Sequence, residues 1–260
     1  MSERRRADEE FAMLLQLCTW CEVEEYLKRS TAIVVPIGST EQHGPTGLIG
    51  TDAICPEVLA RGLSERHDVL VAPTLSIGMA QHHLAFPGSI TLRPSTLMSV
   101  IKDVTDSLSR HGFEKVYFLN GHGGNVATVT AAFSEIYAEA SLQKLPSNKA
   151  PIRCKLKNWY DTPGARDLSK KLYGDAEGAH ATPSEVSLSY FAHPDSVKSA
   201  KLEPKRAPWG PIRDADDYRR NFPDGRIGSD PSLATIEHGE QIYEATLADI
   251  ARDFRSFSTS

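Results

Sequence analysis

Two apolar runs in this 260-residue chain break directly into glycine-rich polar loops, and each loop leads into a helix. Ala32-Ile-Val-Val-Pro-Ile37 is β-branched and apolar throughout, the pattern of a buried strand. It runs into Gly38-Ser-Thr-Glu-Gln-His-Gly-Pro45, a stretch dense in turn residues, and then a helical pattern from Glu57 to Arg66. Lys115-Val-Tyr-Phe-Leu119 runs into Asn120-Gly-His-Gly-Gly-Asn125 and a helix from Val126 to Glu139. Val69-Leu-Val-Ala72 and Ile152-Arg-Cys-Lys-Leu156 read as two further strands. Strands alternating with helices argue for an α/β fold with a mainly parallel sheet.

The remaining elements fit that frame. Thr19 to Lys28 reads as a short helix with a Thr19/Glu22 capping box. Leu97, Val100, Ile101, Val104 and Leu108 form one apolar helical face, with Pro94 suited to its first turn and Gly112 to its stop. Pro183 to Phe191 and Ser232 to Phe254 complete the helices. The stretch leading to residue 181 reads as loop-rich, and residues 201–230, rich in Pro, Asp, Arg and Gly, as a long surface excursion. No linker or internal repeat interrupts the chain. The expectation is a disordered polar tail over residues 1–12 and a single domain over 13–260.

Composition narrows the function. Lys plus Arg is 29 and Asp plus Glu is 34, a net charge of −5. The one dense basic run, Arg4-Arg5-Arg6, is followed by acids, so no nucleic-acid partner is expected. No apolar run reaches the roughly 18 residues of a membrane span. The start lacks a signal-peptide layout, which points to a cytoplasmic address. Cys18 and Cys21 form a single C-x-x-C with no second pair for a zinc site, so ordinary reduced cysteines are expected.

The candidate chemistry lies in loops after strands or before helices, where open α/β sheets gather ligands. Glu41 and His43 are two apart in an extended loop and can face one site. Asp52 suits either a helix N-cap or a bridging carboxylate. His122 stands among glycines that leave it free to reach a metal. Glu185 completes a capping box with Thr182 behind Pro183, or serves as a ligand. His180, in a Gly/Ala-rich loop with few expected packing partners, suits acid/base work. His82 and His83 read as loop histidines; His67, His111, His193 and His238 receive no function. Together the nitrogen and oxygen donors suit zinc, manganese or iron(II), and one shared carboxylate would make a two-metal site.

These residues resemble the creatininase family. The resemblance rests on Val35-Pro-Ile-Gly-Ser-Thr-Glu-Gln-His-Gly-Pro45 with Gly50-Thr-Asp52, and on His83-Leu-Ala-Phe-Pro-Gly-Ser-Ile-Thr-Leu92. It continues in Asn120-Gly-His-Gly-Gly-Asn125, Gly178-Ala-His-Ala-Thr-Pro-Ser-Glu-Val-Ser187 and Gly228-Ser-Asp-Pro-Ser-Leu-Ala234, in family order over roughly residues 30 to 250. It implies a three-layer α/β/α sandwich with a mostly parallel sheet, two divalent ions (Zn, Mn or Fe) and a homo-oligomer, often a hexamer. By resemblance Glu41, His43, Asp52, His122 and Glu185 are metal ligands, with Asp52 bridging, and His180 moves the proton. His83, Trp159, Gly123 and Gly124 fall to the substrate pocket. Creatininase itself has Glu where this chain has Gly124, and a substrate-facing Trp where it has Ala176.

The expected function is a metal-dependent amidohydrolase that cleaves a non-peptide C–N bond, in a small-molecule cyclic amide or formamide, with a metal-activated water. Two other readings compete with it: a two-metal phosphoesterase, and a non-catalytic metal-binding scaffold on the same fold.

Overall fold

A computed structural model describes residues 12–142 and 152–260. Apart from Ala12, the tail expected over residues 1–12 lies outside the described residues. Three strands, β1 (Ala32–Ile37), β2 (Lys115–Asn120) and β3 (Arg153–Asn158), form a parallel sheet in that order. Alternate residues supply two separate cores. Val34, Tyr117 and Leu119 join one; Ile33, Val35, Val116 and Phe118 join the other.

Helices cover both faces. On the first lie α2 (Thr51–His67), α5 (Pro163–Tyr173), α6 (Pro183–Ala192) and α8 (Ile236–Thr259), contributing Leu59, Ala165, Leu188 and Ile242 among others. On the second lie α1 (Trp20–Leu27), α3 (Pro94–Arg110) and α4 (Val126–Leu142), contributing Tyr26, Ile101 and Val129. The expected α/β/α sandwich is the observed one. A sheet buried on both faces explains why β1 is apolar at every position rather than alternating.

Four local expectations change. The segment at Val69–Ala72 is not a full strand. It runs beside β1 through isolated bridges, Val34 to Val71 and Ile37 to Leu75. Pro36 and Pro73 have no N–H to give a continuous ladder. The stretch before residue 181 is not all loop, because it contains α5, capped by Thr162 with Pro163 in its first turn. Asp52 is not an N-cap; Gly50 holds that position and Asp52 lies in the first turn of α2. Residues 201–230 are not merely a surface excursion. They include α7 (Ala215–Asn221), whose Tyr218 packs with Phe86, Phe222 and Ile227. Arg226 there is fully buried, its guanidinium held by Asp224 and by the carbonyls of Pro204, Lys205 and Ser229.

Candidate metal centre

The carboxyl ends of β1 and β2 place the proposed ligands. β1 leads to Glu41 and His43, β2 to His122, and the first turn of α2 brings Asp52 against both strand ends. Pro56 has no N–H to bond the Asp52 carbonyl within the helix. That carbonyl instead sits where a side chain at Gly38 or Gly121 would be: an added Cβ would lie 2.1 or 2.0 Å from it. Two glycines just past neighbouring strands therefore let α2 start close enough to aim Asp52 into the site.

Backbone carbonyls then orient the histidines. Nδ1 of His43 lies 3.0 Å from the carbonyl oxygen of Glu41, which suits an N–H donor there and leaves Nε2 as the nitrogen turned to the cluster. That Nε2 is 3.1 Å from Asp52 Oδ1 and 3.9 Å from Glu185 Oε1. His122 is held the opposite way. Its Nε2 is 2.9 Å from the Met79 carbonyl, leaving Nδ1 2.9 Å from Asp52 Oδ2. The Ser39 hydroxyl donates to Glu41 Oε2 at 2.7 Å. Glu41 Oε1 and Asp52 Oδ2 are buried and receive no hydrogen bond of good geometry, despite imidazole nitrogens 3.0 and 2.9 Å away.

Three overlapping sets of donor atoms result, each within 4.8 Å: Glu41/Asp52/His122, His43/Asp52/Glu185 and Glu41/His43/His180. The first two share Asp52. Glu185 also closes the capping box at the start of α6, its Oε1 accepting from the Thr182 N–H at 2.6 Å. The two roles read from sequence for Glu185 are compatible, because one carboxylate reaches both the cap and the cluster.

Without a metal, the cluster is electrostatically tense. Burial drives Glu41 up to about 8, against the pull of His122. Burial alone would do the same to Asp52, yet His43 and His122 hold it well below the usual carboxylate range. Burial opposes charge on the two imidazoles, but the carboxylates prevail. Asp52 takes His43 to about 10, and Glu41 with Asp52 takes His122 to about 9. Such a set gathers positive charge strongly, whether from protons or from a metal.

His180 is better packed than its Gly/Ala-rich loop suggested. Its ring lies between those of His43 and His83, with centroids 4.6 Å from each. Its backbone bridges to Ile227, and the Ser229 hydroxyl donates to its carbonyl. Nε2 is 2.7 Å from the Gln42 carbonyl, so it suits the protonated nitrogen, and Nδ1 faces the cluster 3.9 Å from Glu41 Oε1. Burial and neighbouring His43 hold His180 well below the ordinary imidazole value, hence neutral.

The cluster opens into a cavity of about 690 Å³. His83, Gly123 and Gly124 line it. Trp159 reaches its wall but is only 1% exposed and belongs to the main core. The neighbouring Tyr160, which sequence reasoning passed over, lines the cavity beside Gly123. Gln42, Arg166, Lys170, Glu177, Trp209 and Tyr218 were also missed. Gln42 stood between two singled-out residues, and its amide nitrogen is 2.9 Å from His83 Nδ1 and 3.0 Å from the Gly225 carbonyl. The Thr162-Pro163 start and the apolar positions 165, 168 and 172 were a readable helix signal for α5.

The chain is similar to known proteins over most of its length. The creatininase family profile, described as creatinine amidohydrolase, matches residues 16–254. The chain is 26% identical over 217 residues to the mycofactocin precursor peptide peptidase of Mycolicibacterium smegmatis, covering 81% of this chain and 79% of that protein. It is 25% identical over 250 residues to the creatinine amidohydrolase of Pseudomonas putida, with 91% and 94% covered. It is 28% identical over 256 residues to the 3-dehydro-scyllo-inosose hydrolase of Thermotoga maritima, with 89% and 79% covered. Among solved structures, its fold matches creatinine amidohydrolase (creatininase) with a TM-score of 0.82 at 23% identity, covering 95% of this chain and 98% of that one. A mutant creatininase of Zn-Zn type matches with a TM-score of 0.82 at 23% identity, over 96% and 99% of the two chains.

Proposed function

This chain belongs to the creatininase family of amidohydrolases, and from that premise we propose that it cleaves a non-peptide C–N bond, in a cyclic amide or a formamide, at a two-ion centre. Glu41, Asp52 and His122 would hold one ion, and His43, Asp52 and Glu185 the other, with Asp52 shared. The observation that carries this reading is the pair of donor sets meeting at Asp52. The donors fit a metal: two buried carboxylate oxygens lack good hydrogen bonds, and two imidazoles are each fixed with one nitrogen left over.

Divalent ions bound there would supply a water of lowered pKa and polarise the amide oxygen. The protein's own groups do the rest. His180 is neutral and hydrogen-bonded at Nε2 to the Gln42 carbonyl, so its Nδ1 takes a proton from the attacking water. The same nitrogen then returns that proton to the leaving amine. The ring contacts with His43 and His83 keep the imidazole from turning away.

Mixed nitrogen and oxygen donors favour zinc, manganese or iron(II). The creatininase structures described as Zn-Zn type and as the manganese form make zinc and manganese the first ions to restore. The substrate we expect is a small amide other than creatinine. A Cβ at Gly124 would lie 2.3 Å from His122 Nε2 and 2.7 Å from the Met79 carbonyl, so this backbone has no room there for the Glu of creatininase. The Trp of creatininase is likewise replaced, by Ala176. The known relatives are named for creatinine, a peptide and an inosose, so family membership leaves the substrate open. We further read residues 13–260 as one catalytic domain, the protein as a cytoplasmic homo-oligomer, and a hexamer as its assembly. Among the described residues no helix is long and apolar enough to cross a membrane.

The test is a panel of cyclic amides and formamides beside a panel of phosphoesters, with each metal restored in turn. Amide turnover that a chelator abolishes and metal restores is the expected result. Amide turnover indifferent to chelator contradicts the mechanism, and turnover of phosphoesters alone contradicts the reaction class.

A further inference from the structure

Beyond the ligands, the cavity carries a second charged feature, on α5. Arg166, Ser169, Lys170 and Gly174 all line it. Arg166, Ser169 and Lys170, three and four residues apart, lie on one helical stripe, and Gly174 caps the helix beyond them. Ala165, Leu168 and Leu172, on the opposite side, pack into the core. Asp167 and Lys171 belong to neither stripe. The face turned to the cavity is therefore the one with two cations and no acid.

Those cations are unpaired. Among the described residues, neither Arg166 nor Lys170 makes an ion pair, whereas Arg29, Arg66, Lys102, Lys155, Arg226 and Arg252 all do. Arg166 and Lys170 thus put two exposed cations on the wall of a cavity that Glu41, Asp52, Glu177 and Glu185 also line. Resting on the amidohydrolase reading above, we propose that α5 is an anion-reading subsite, and that the substrate is an amide carrying a carboxylate remote from the scissile bond.

Recognition follows from the geometry of the groups. A guanidinium takes a carboxylate through two parallel N–H donors, and an ammonium four residues on adds a point charge on the same face. Held there, the carboxylate is kept from competing with the amide for the ions. A monoanion fits better than a phosphate dianion, because Glu177 lines the same cavity. Trp209 and Ile212, also lining it, give the connecting part of such a molecule apolar walls.

The experiment separates this proposal from the reading beneath it. Zinc-loaded protein is titrated calorimetrically with acetohydroxamate, an amide-like zinc binder with no remote carboxylate, and with the monohydroxamates of succinate, glutarate and adipate. At least one carboxylated probe should bind about tenfold tighter than acetohydroxamate, the scale of a charge-assisted pair. In the Arg166→Ala/Lys170→Ala double variant that gain should shrink to within about twofold, with acetohydroxamate affinity and zinc content unchanged. The off-stripe control Lys171→Ala should keep the gain. No gain at any chain length, or a gain that survives in the double variant, overturns the subsite while leaving the metal centre standing. If acetohydroxamate itself fails to bind protein that retains zinc, the amidohydrolase reading fails and takes the subsite with it.

Discussion

Nε2 of His43 lies 3.1 Å from Oδ1 of Asp52, in a pair with almost no solvent contact. In the absence of metal this is an imidazolium–carboxylate pair: Asp52 holds His43 up at about 10, and a comparable pairing holds His122 at about 9. A metal must displace those protons before it can use the lone pairs. Zinc uptake at pH 7 should therefore release about three protons per chain, two from the imidazoles and one from Glu41, and apparent affinity should climb with pH up to about 10. Titrations in buffers of different ionisation enthalpy read the number directly. Uptake without proton release would mean that the ligands lie elsewhere.

The fit of α2 against the strand ends makes a sharp steric prediction. At Gly121 an added Cβ would lie 2.0 Å from the Asp52 carbonyl oxygen and 2.7 Å from Pro56 Cδ. At Gly123 the nearest atom is the Tyr160 hydroxyl, at an ordinary 3.7 Å. Gly121→Ala should cost about 2–3 kcal/mol in denaturant unfolding and lower metal capacity. Gly123→Ala should stay within about 0.5 kcal/mol and bind metal normally. Equal behaviour of the two variants would remove the argument that a glycine admits Asp52.

Glu177 gives a pH signature beside the ligand set, without belonging to it. Its carboxyl accepts from the Ser184 hydroxyl, its Oε2 is buried without a partner, and burial lifts it from 4.5 to about 7. A carboxyl raised on folding binds its proton more tightly in the native state. Its stabilisation is therefore complete below pH 4.5 and is lost as pH rises through about 7. Glu177→Gln, which keeps an acceptor for Ser184, should gain on the parent between those limits, by about 3 kcal/mol at most. Chemical denaturation of metal-free protein at pH 5 and pH 8 makes the comparison. A difference independent of pH would show that Glu177 is not titrating in that window.

His180 separates chemistry from metal binding. His180→Ala should reduce turnover by a factor of about 100 or more, the usual worth of a general acid/base. Metal content should stay close to that of the parent, because the two sets sharing Asp52 do not include it. Full activity in this variant would remove the proton-transfer role. Lost metal would instead make His180 a ligand through its set with Glu41 and His43.

Much of this site was legible because strand, glycine loop and helix follow one another in the chain. Glu41, His43 and His122 each stand just past an apolar strand, so local order located them without knowledge of packing. Asp52 and Glu185 were ambiguous in sequence, since a carboxylate at a helix start satisfies backbone N–H groups equally well. Packing separates them: Asp52 leaves the N-cap to Gly50 and lies 3.1 Å from His43, whereas Glu185 closes the α6 capping box and also approaches His43, at 3.9 Å. Where sequence fell short, long-range packing was responsible. Tyr218 and Arg226 are buried because residues 204–229 fold over His83 and His180, which a polar, proline-rich composition does not announce. Trp159 and Tyr160 show the same limit. Adjacent aromatics after β3 divide between core and cavity, and the chain alone does not say which goes where.

The central claim is that Asp52 serves two ions at once, and metal stoichiometry tests it most directly. Elemental analysis of zinc-reconstituted protein should find about two equivalents per chain, about one in Glu185→Ala and close to none in Asp52→Ala. One equivalent in the parent, or one equivalent retained in Asp52→Ala, would contradict the shared-carboxylate centre.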